Sequence, residues 1–145
     1  MTRTLTVDIR GLPRPQGSMR AHPTPSGKIA VRYPPAVWDW RHHVQQQIAL
    51  AFDEPFAGPV ELRLGFDLPR PAGHYGTGRN RATVRPGAPA HPAATPDIDK
   101  LVRAISDAIT DAGLWKDDGQ VVYLEAAKRY VTGPPGVLIT VKEIA

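Results

Sequence analysis

The stretch Thr95-Pro-Asp-Ile-Asp-Lys-Leu-Val-Arg-Ala-Ile-Ser-Asp-Ala-Ile-Thr-Asp-Ala-Gly113 carries the longest uninterrupted helical pattern in the chain. Ile98, Leu101, Val102, Ile105, Ala108, Ile109 and Ala112 recur at i, i+3, i+4 and i+7, which gathers them into one apolar stripe. Thr95-Pro96 reads as an N-cap followed by proline at the first helical position, and Gly113 as the stop.

Strand patterns surround this helix. Before it, Val60, Leu62, Leu64, Phe66 and Leu68 alternate with Glu61, Arg63, Gly65 and Asp67. After it come a tight connection at Leu114–Gly119, a strand over Val121–Tyr130, a turn with two prolines and an alternating strand over Val137–Ile144, read as a terminal hairpin. Near the start, Leu5, Val7 and Ile9 alternate with polar residues over Thr4–Arg10. Pro34-Pro35 introduces another helix, Ala36–Phe52, with Trp40, Val44, Ile48 and Phe52 on one face. The element order predicts an α+β fold: a single small domain over 1–145, a mixed sheet covered by two helices.

Two segments break the periodicity. Residues 11–35 are Pro/Gly-rich and basic, with a short strand expected at Lys28–Arg32. Residues 69–96 form a proline-rich loop of a length that compact domains use for function or leave disordered. Glycine and proline together make up 29 of the 145 residues, below the share of a low-complexity chain. There is no cysteine, which excludes disulfides, a cysteine nucleophile and thiolate metal sites, and fits a reducing cytoplasm. Neither a signal-peptide core nor a membrane span is predicted.

The net charge is +4, and its distribution says more than its size. Arg10, Arg14, Arg20, Lys28 and Arg32 lie between Ile9 and Trp38 without an acid among them; Arg70, Arg79, Arg81 and Arg85 lie between Leu68 and Pro96, again without one. Single-sign segments of this kind suit a polyanion, though an arginine-rich proteome also produces solvated basic loops.

Among groups that could carry chemistry, the five histidines lack ligand spacing: His42 and His43 are adjacent and face different sides of a helix, and the others fall in loops. Ser18 lacks the context of a nucleophile elbow. A Pro-Asp…[Asp/Glu]-x-Lys nuclease pattern fails, because Glu125-Ala-Ala-Lys128 has one residue too many.

The acids are more informative. Asp97 and Asp99 flank Ile98 at the helix start, and Asp117-Asp118 lie in the turn before the next strand. Carboxylates gathered within about 5 Å repel one another until a hard divalent cation joins them. Oxygen-only donors would select Mg²⁺, or Mn²⁺, over zinc. The plainer alternative is that Asp97 and Asp99 complement the helix dipole while Asp117-Asp118 form a polar turn. Whether the strand runs back along the helix or the turn folds onto a neighbouring strand is open from sequence.

Pro96-Asp-Ile-Asp-Lys-Leu-Val-Arg103-Ala-Ile-Ser-Asp107, followed by Gly113-Leu-Trp-Lys-Asp-Asp118-Gly-Gln-Val-Val122, closely resembles the RusA family of Holliday-junction resolvases, the phage-type members above all. The shared pattern is D-x-D, a helix ending in a Gly-aromatic turn, then D-D-x-Q-[VI]. Pro13-Arg-Pro-Gln-Gly-Ser18 with Arg20, and Lys128-Arg-Tyr130, are similar to weaker family patterns.

The resemblance implies a cytoplasmic, bacterial or phage-encoded homodimeric endodeoxyribonuclease that resolves four-way DNA junctions by paired nicks with Mg²⁺, in recombination and repair. It implies Asp97, Asp99 and Asp118 as the catalytic acids and metal ligands. The best-known members carry Asn and a catalytic lysine where this chain has Lys100 and Arg103, whereas phage-type members look like this sequence. Arg103 shares a helical face with Asp99 and can hold two phosphate oxygens, so it is expected to matter more for turnover than Lys100.

Arg14, Arg20, Arg70, Arg79, Arg81, Arg85 and Lys128 are the expected DNA contacts. Lys128 lies ten residues beyond Asp118, about 33 Å along a straight strand, and so is expected on DNA rather than at the Asp118 metal site. The alternatives are a nuclease of broader branched or flap preference, and a basic DNA-binding module without catalysis.

Overall fold

The computed structural model describes residues 2–17 and 20–145; Ser18 and the side chains of Arg20, His22 and Val31 lie outside the described set. Six strands and two helices run in the order β1 (Thr4–Arg10), β2 (Arg20–Pro23), β3 (Ile29–Arg32), α1 (Pro35–Ala49), β4 (Val60–Pro69), α2 (Ile98–Ala112), β5 (Val121–Val131) and β6 (Gly136–Glu143). The main sheet has the order β1-β6-β4-β5. β6 is antiparallel to β1 and β4, whereas β4 and β5 are parallel. The expected α+β domain with a mixed sheet and two helices is the observed one.

One expectation fails. β5 and β6 do not form a hairpin, because β4 lies between them. The reason is burial. Val60, Leu62, Leu64, Phe66 and Leu68 all point to the core, and a strand so apolar on one face gains more at the centre of the sheet than at an edge. The turn between β5 and β6 therefore steps across β4.

The parallel β4–β5 pair needs a long crossover, and residues 70–120 supply it. The chain leaves the C-terminal end of β4, passes through the proline-rich loop and returns along α2 to the start of β5. The N-terminus of α2 thus lies with the C-terminal ends of β4 and β5, and its C-terminus with their beginnings. This arrangement fixes the position of every acid discussed below.

Both helices cover one face of the sheet. Leu101, Ala104, Ile105, Ala108 and Ile109 of α2 are fully buried, with Trp40, Val44 and Ile48 of α1 in the same core. Arg41 of α1 is buried between the helices, pairing with Asp111 at 2.7 Å and facing the rings of Trp38 and Tyr33. Pro35 is the first residue of α1, where its missing N–H costs nothing. α2 ends at Gly113, whose φ of 78° is the left-handed region glycine adopts without strain. Its start differs from the expectation: Asp97, not Thr95, is the N-cap residue, and Pro96 precedes the helix behind a cis peptide bond.

The other face of the sheet is charged. Asp67 accepts from Arg129 at 2.7 Å and from Arg10 at 3.0 Å. Partial burial works to raise the pKa of Asp67, but the hydrogen bonds from the two guanidiniums outweigh it and hold the group below its ordinary value. Arg10 reaches Asp67 across Gly136, where a Cβ would stand 2.5 Å from the guanidinium carbon and 2.3 Å from the Ile9 carbonyl. Glycine is required there for close approach rather than for turning.

The loop over 70–97 has structure of its own, with short 3-10 turns at Ala72–His74 and Gly78–Asn80 and a bridge between Tyr75 and Val84. β2 and β3 pair as a separate two-stranded ribbon, with the strand expected near Lys28–Arg32 in place.

Candidate functional site

Asp97 and Asp99 lie at the start of α2, beside the C-terminal ends of the parallel strands, where open α/β sheets commonly bind ligands. The Asp97 carboxylate accepts from Lys100 Nζ at 2.9 Å. That hydrogen bond, and the Lys100 charge behind it, hold Asp97 below the ordinary carboxylate range, with a smaller contribution from Lys128. Lys100 is raised in turn by Asp97, then by Asp99.

Lys128 is the unexpected member of this end. It occupies the register position of Phe66 on β5, on the face that the helices cover. Its stem follows apolar surface and its ammonium emerges at the turn before α2. There Nζ donates to the carbonyls of Ala94 and Pro96 at 2.7 and 2.8 Å. In the free protein the ammonium expected to reach DNA holds the backbone leading into Asp97. It does stand far from Asp118, since Val121 to Lys128 alone spans about 23 Å of strand. The expectation had treated the acids as one place, and the crossover makes them two.

At the other end of α2, Asp117 caps a 3-10 turn, its carboxylate accepting from Gly119 N at 3.0 Å. Gln120 holds this turn together. Its Oε1 accepts from the backbone of Lys116 and Asp117, while Nε2 donates to the carbonyls of Phe56 and Gly58, both at 2.9 Å. The glutamine of the D-D-x-Q pattern is therefore a structural tie. Asp118 is held above the ordinary carboxylate range by its hydrogen bond with Asp117, by partial burial, and by the charges of Asp117 and Asp107. Asp117 is lowered, first by the Gly119 N–H and then by Asp118.

The two ends share a helix face. Asp99, Arg103 and Asp107 follow at four-residue intervals, with about 12 Å of rise from first to last. Arg103 is exposed and makes no ion pair among the described residues. Gln16 is fully buried against this face, its backbone N–H donating to the Lys100 carbonyl at 3.0 Å and its Nε2 to Asp107. Sequence reasoning gave Gln16 no role; the signal was its place within the Pro13–Ser18 pattern.

Asp97 and Asp99 suit two oxygen ligands of one hard cation, whereas Asp118 does not stand with them. Among the described residues, no three His, Cys, Asp or Glu side chains gather closely enough to hold a metal ion.

The expected DNA contacts divide. Arg70 donates to the Pro89 carbonyl at 2.7 Å and its guanidinium lies 4.7 Å from the Tyr130 ring; Arg85 donates to the Gly73 carbonyl at 2.7 Å. Both brace the loop. Arg14, Arg79 and Arg81 are exposed. No helix is long and apolar enough to cross a membrane among the described residues.

A helix headed by Asp97-x-Asp99 thus follows two segments whose charged residues are all basic. The family model for endodeoxyribonuclease RusA matches residues 13–142, and the chain belongs to that family of Holliday-junction nucleases. No curated protein matches the chain in sequence.

Proposed function

We propose that the protein is a Mg²⁺-dependent endonuclease that resolves four-way DNA junctions by paired nicks in recombination and repair, acting as a homodimer. The observation that carries this reading is the family match over residues 13–142, with Asp97-x-Asp99 at the head of a helix inside it.

Asp97 and Asp99 would hold Mg²⁺, or Mn²⁺; when bound, the ion polarises a phosphate oxygen and makes water a better nucleophile. Lys100 neutralises Asp97 in the free protein and has to release it when the ion binds. Arg103, one turn beyond Asp99, offers a planar fork for two phosphate oxygens, the role of the family lysine. Lys128 keeps the backbone before Asp97 in position. Asp118, with Asp107, supplies the third acid from the far end of the same helix. The exposed Arg14, Arg79 and Arg81, with Arg20, follow the DNA backbone. A four-way junction is nearly two-fold symmetric, so two identical subunits suit two equivalent nicks. The β5 edge, with exposed Val122, Tyr123 and Leu124, is available for such pairing.

Nicking of a labelled junction in Mg²⁺ but not in EDTA tests the activity. Equal cutting of junction, fork and duplex would replace junction selectivity with a broader branched-DNA preference, and binding without any cutting would reduce the protein to a binding module.

A further inference from the structure

Beside Asp97 the fold leaves a cavity of about 330 Å³. Leu12, Pro13, Leu68 at the end of β4, Tyr130 near the end of β5 and Pro96, which is bonded to Asp97, are among its lining residues. Arg14 also lines it, and among the described residues no lining side chain is acidic. The walls are stiff, since prolines have a fixed φ. The Tyr130 ring is held from outside, with the His74 ring edge-on at 5.2 Å and the Arg70 guanidinium 4.7 Å from its centre.

From this geometry we infer that the cavity binds one unstacked nucleobase of the DNA, the base adjoining the bond that is cut. The volume lies at the small end for ligand cavities, sized for a single flat heterocycle rather than a base pair. Apolar walls with one aromatic ring suit a π face, and an exposed arginine among the lining residues suits the phosphate that follows the base. Enzymes that take a base out of its stack hold it between aromatic and apolar side chains, and do so at least cost where pairing is already weakened, as at the centre of a junction. Pro96 joins the two functions, since it lines the cavity and is bonded to Asp97. The inference rests on the junction-cutting reading and adds to it a place for a base.

The test pairs a change in the DNA with a change in the cavity. In single-turnover nicking, a junction with an abasic nucleotide beside the cut bond should react about five- to a hundred-fold more slowly than the intact junction. Tyr130→Ala should slow the intact junction by a similar factor, yet react equally with both substrates, because the base has lost its platform. Tyr130→Phe should retain the wild-type preference. Leu12→Trp, at a partly exposed position, should fill the cavity and behave like Tyr130→Ala.

Losses that multiply in the Tyr130→Ala and abasic combination would overturn the inference while leaving junction cutting intact. For protein that binds without cutting, 2-aminopurine at the same nucleotide gives the readout in EDTA. Its fluorescence should change on binding to wild type and Tyr130→Phe but not to Leu12→Trp, and an equal response from all three would overturn the inference. A chain that neither binds nor cuts junctions would remove the underlying reading as well.

Discussion

The two ends of α2 carry the same kind of side chain in opposite electrostatic states. At the N-terminal end, Asp97 has Lys100 on its carboxylate and Lys128 on the backbone before it, and its pKa is held below the ordinary value. At the C-terminal end, Asp118 faces Asp117 and Asp107 without a cation close by among the described residues, and is held toward its protonated form. The helix dipole has the same sense, favouring negative charge at the N-terminus and opposing it at the C-terminus. Identical residues thus have their carboxyl pKa values moved in opposite directions by their surroundings.

The largest expected effect comes from removing the acids. Asp97→Asn and Asp99→Asn should each slow nicking by about a hundred-fold or more, with junction binding preserved and the Mg²⁺ concentration for half-maximal rate raised. Asp118→Asn should slow nicking with that Mg²⁺ midpoint unchanged. A raised midpoint for Asp118→Asn would break the comparison, since the far acid would then reach the same ion.

The cations at the N-terminal end come next. Arg103→Ala should reduce single-turnover rates by about ten- to a hundred-fold, with Arg103→Lys partly active. Lys100→Ala should reduce them less and lower the Mg²⁺ midpoint, because Asp97 no longer has a competing partner. A Lys100→Ala enzyme slower than Arg103→Ala would transfer the phosphate-holding role to position 100.

Lys128→Met removes two charge-assisted hydrogen bonds and leaves two carbonyls at the turn to find water. A loss of about 1–3 kcal/mol in urea unfolding is expected. A Mg²⁺ midpoint shifted upward is expected with it, and Lys128→Arg should recover part of both. A stability loss with no change in the Mg²⁺ response would make Lys128 a brace for the loop alone.

The smallest effect has opposite sign at the two ends. Asp97 has a pKa lowered by folding, so its charge adds stability above the ordinary carboxylate range, and that stability is lost as pH falls through the lowered value. Asp118 has a raised pKa, so its charge costs stability once pH passes the ordinary value, and the cost disappears below it. At neutral pH Asp97→Asn should therefore lower the melting temperature. Asp118→Asn should raise it only slightly, because solvent screens an exposed group. Both differences should vanish in strong acid. Shifts of the same sign at pH 7 would remove the electrostatic contrast.

Much of this was legible from sequence. Periodicity located α2 because burying Leu101, Ile105 and Ile109 together requires a 3.6-residue repeat, and β4 because its alternation requires a pleat. Asp97, Asp99 and Asp118 could be singled out as candidates, since the D-x-D and D-D-x-Q patterns are local. The order of strands in the sheet was not legible. A short turn between β5 and β6 resembles a hairpin, and only competition for the centre of the sheet puts β4 between them. The consequences of that order were hidden with it. Lys128 is 32 residues from Pro96 in the chain, and Gln16 is 91 from Asp107; their contacts exist because the fold brings β5 and the segment after β1 to the helix that crosses between the parallel strands. The sequence by itself determined which residues are helical, which are acidic and which segments are purely basic, because these depend on neighbours within a few positions. The tertiary structure alone decided which acid meets a cation and which meets another acid, because that depends on where each strand ends.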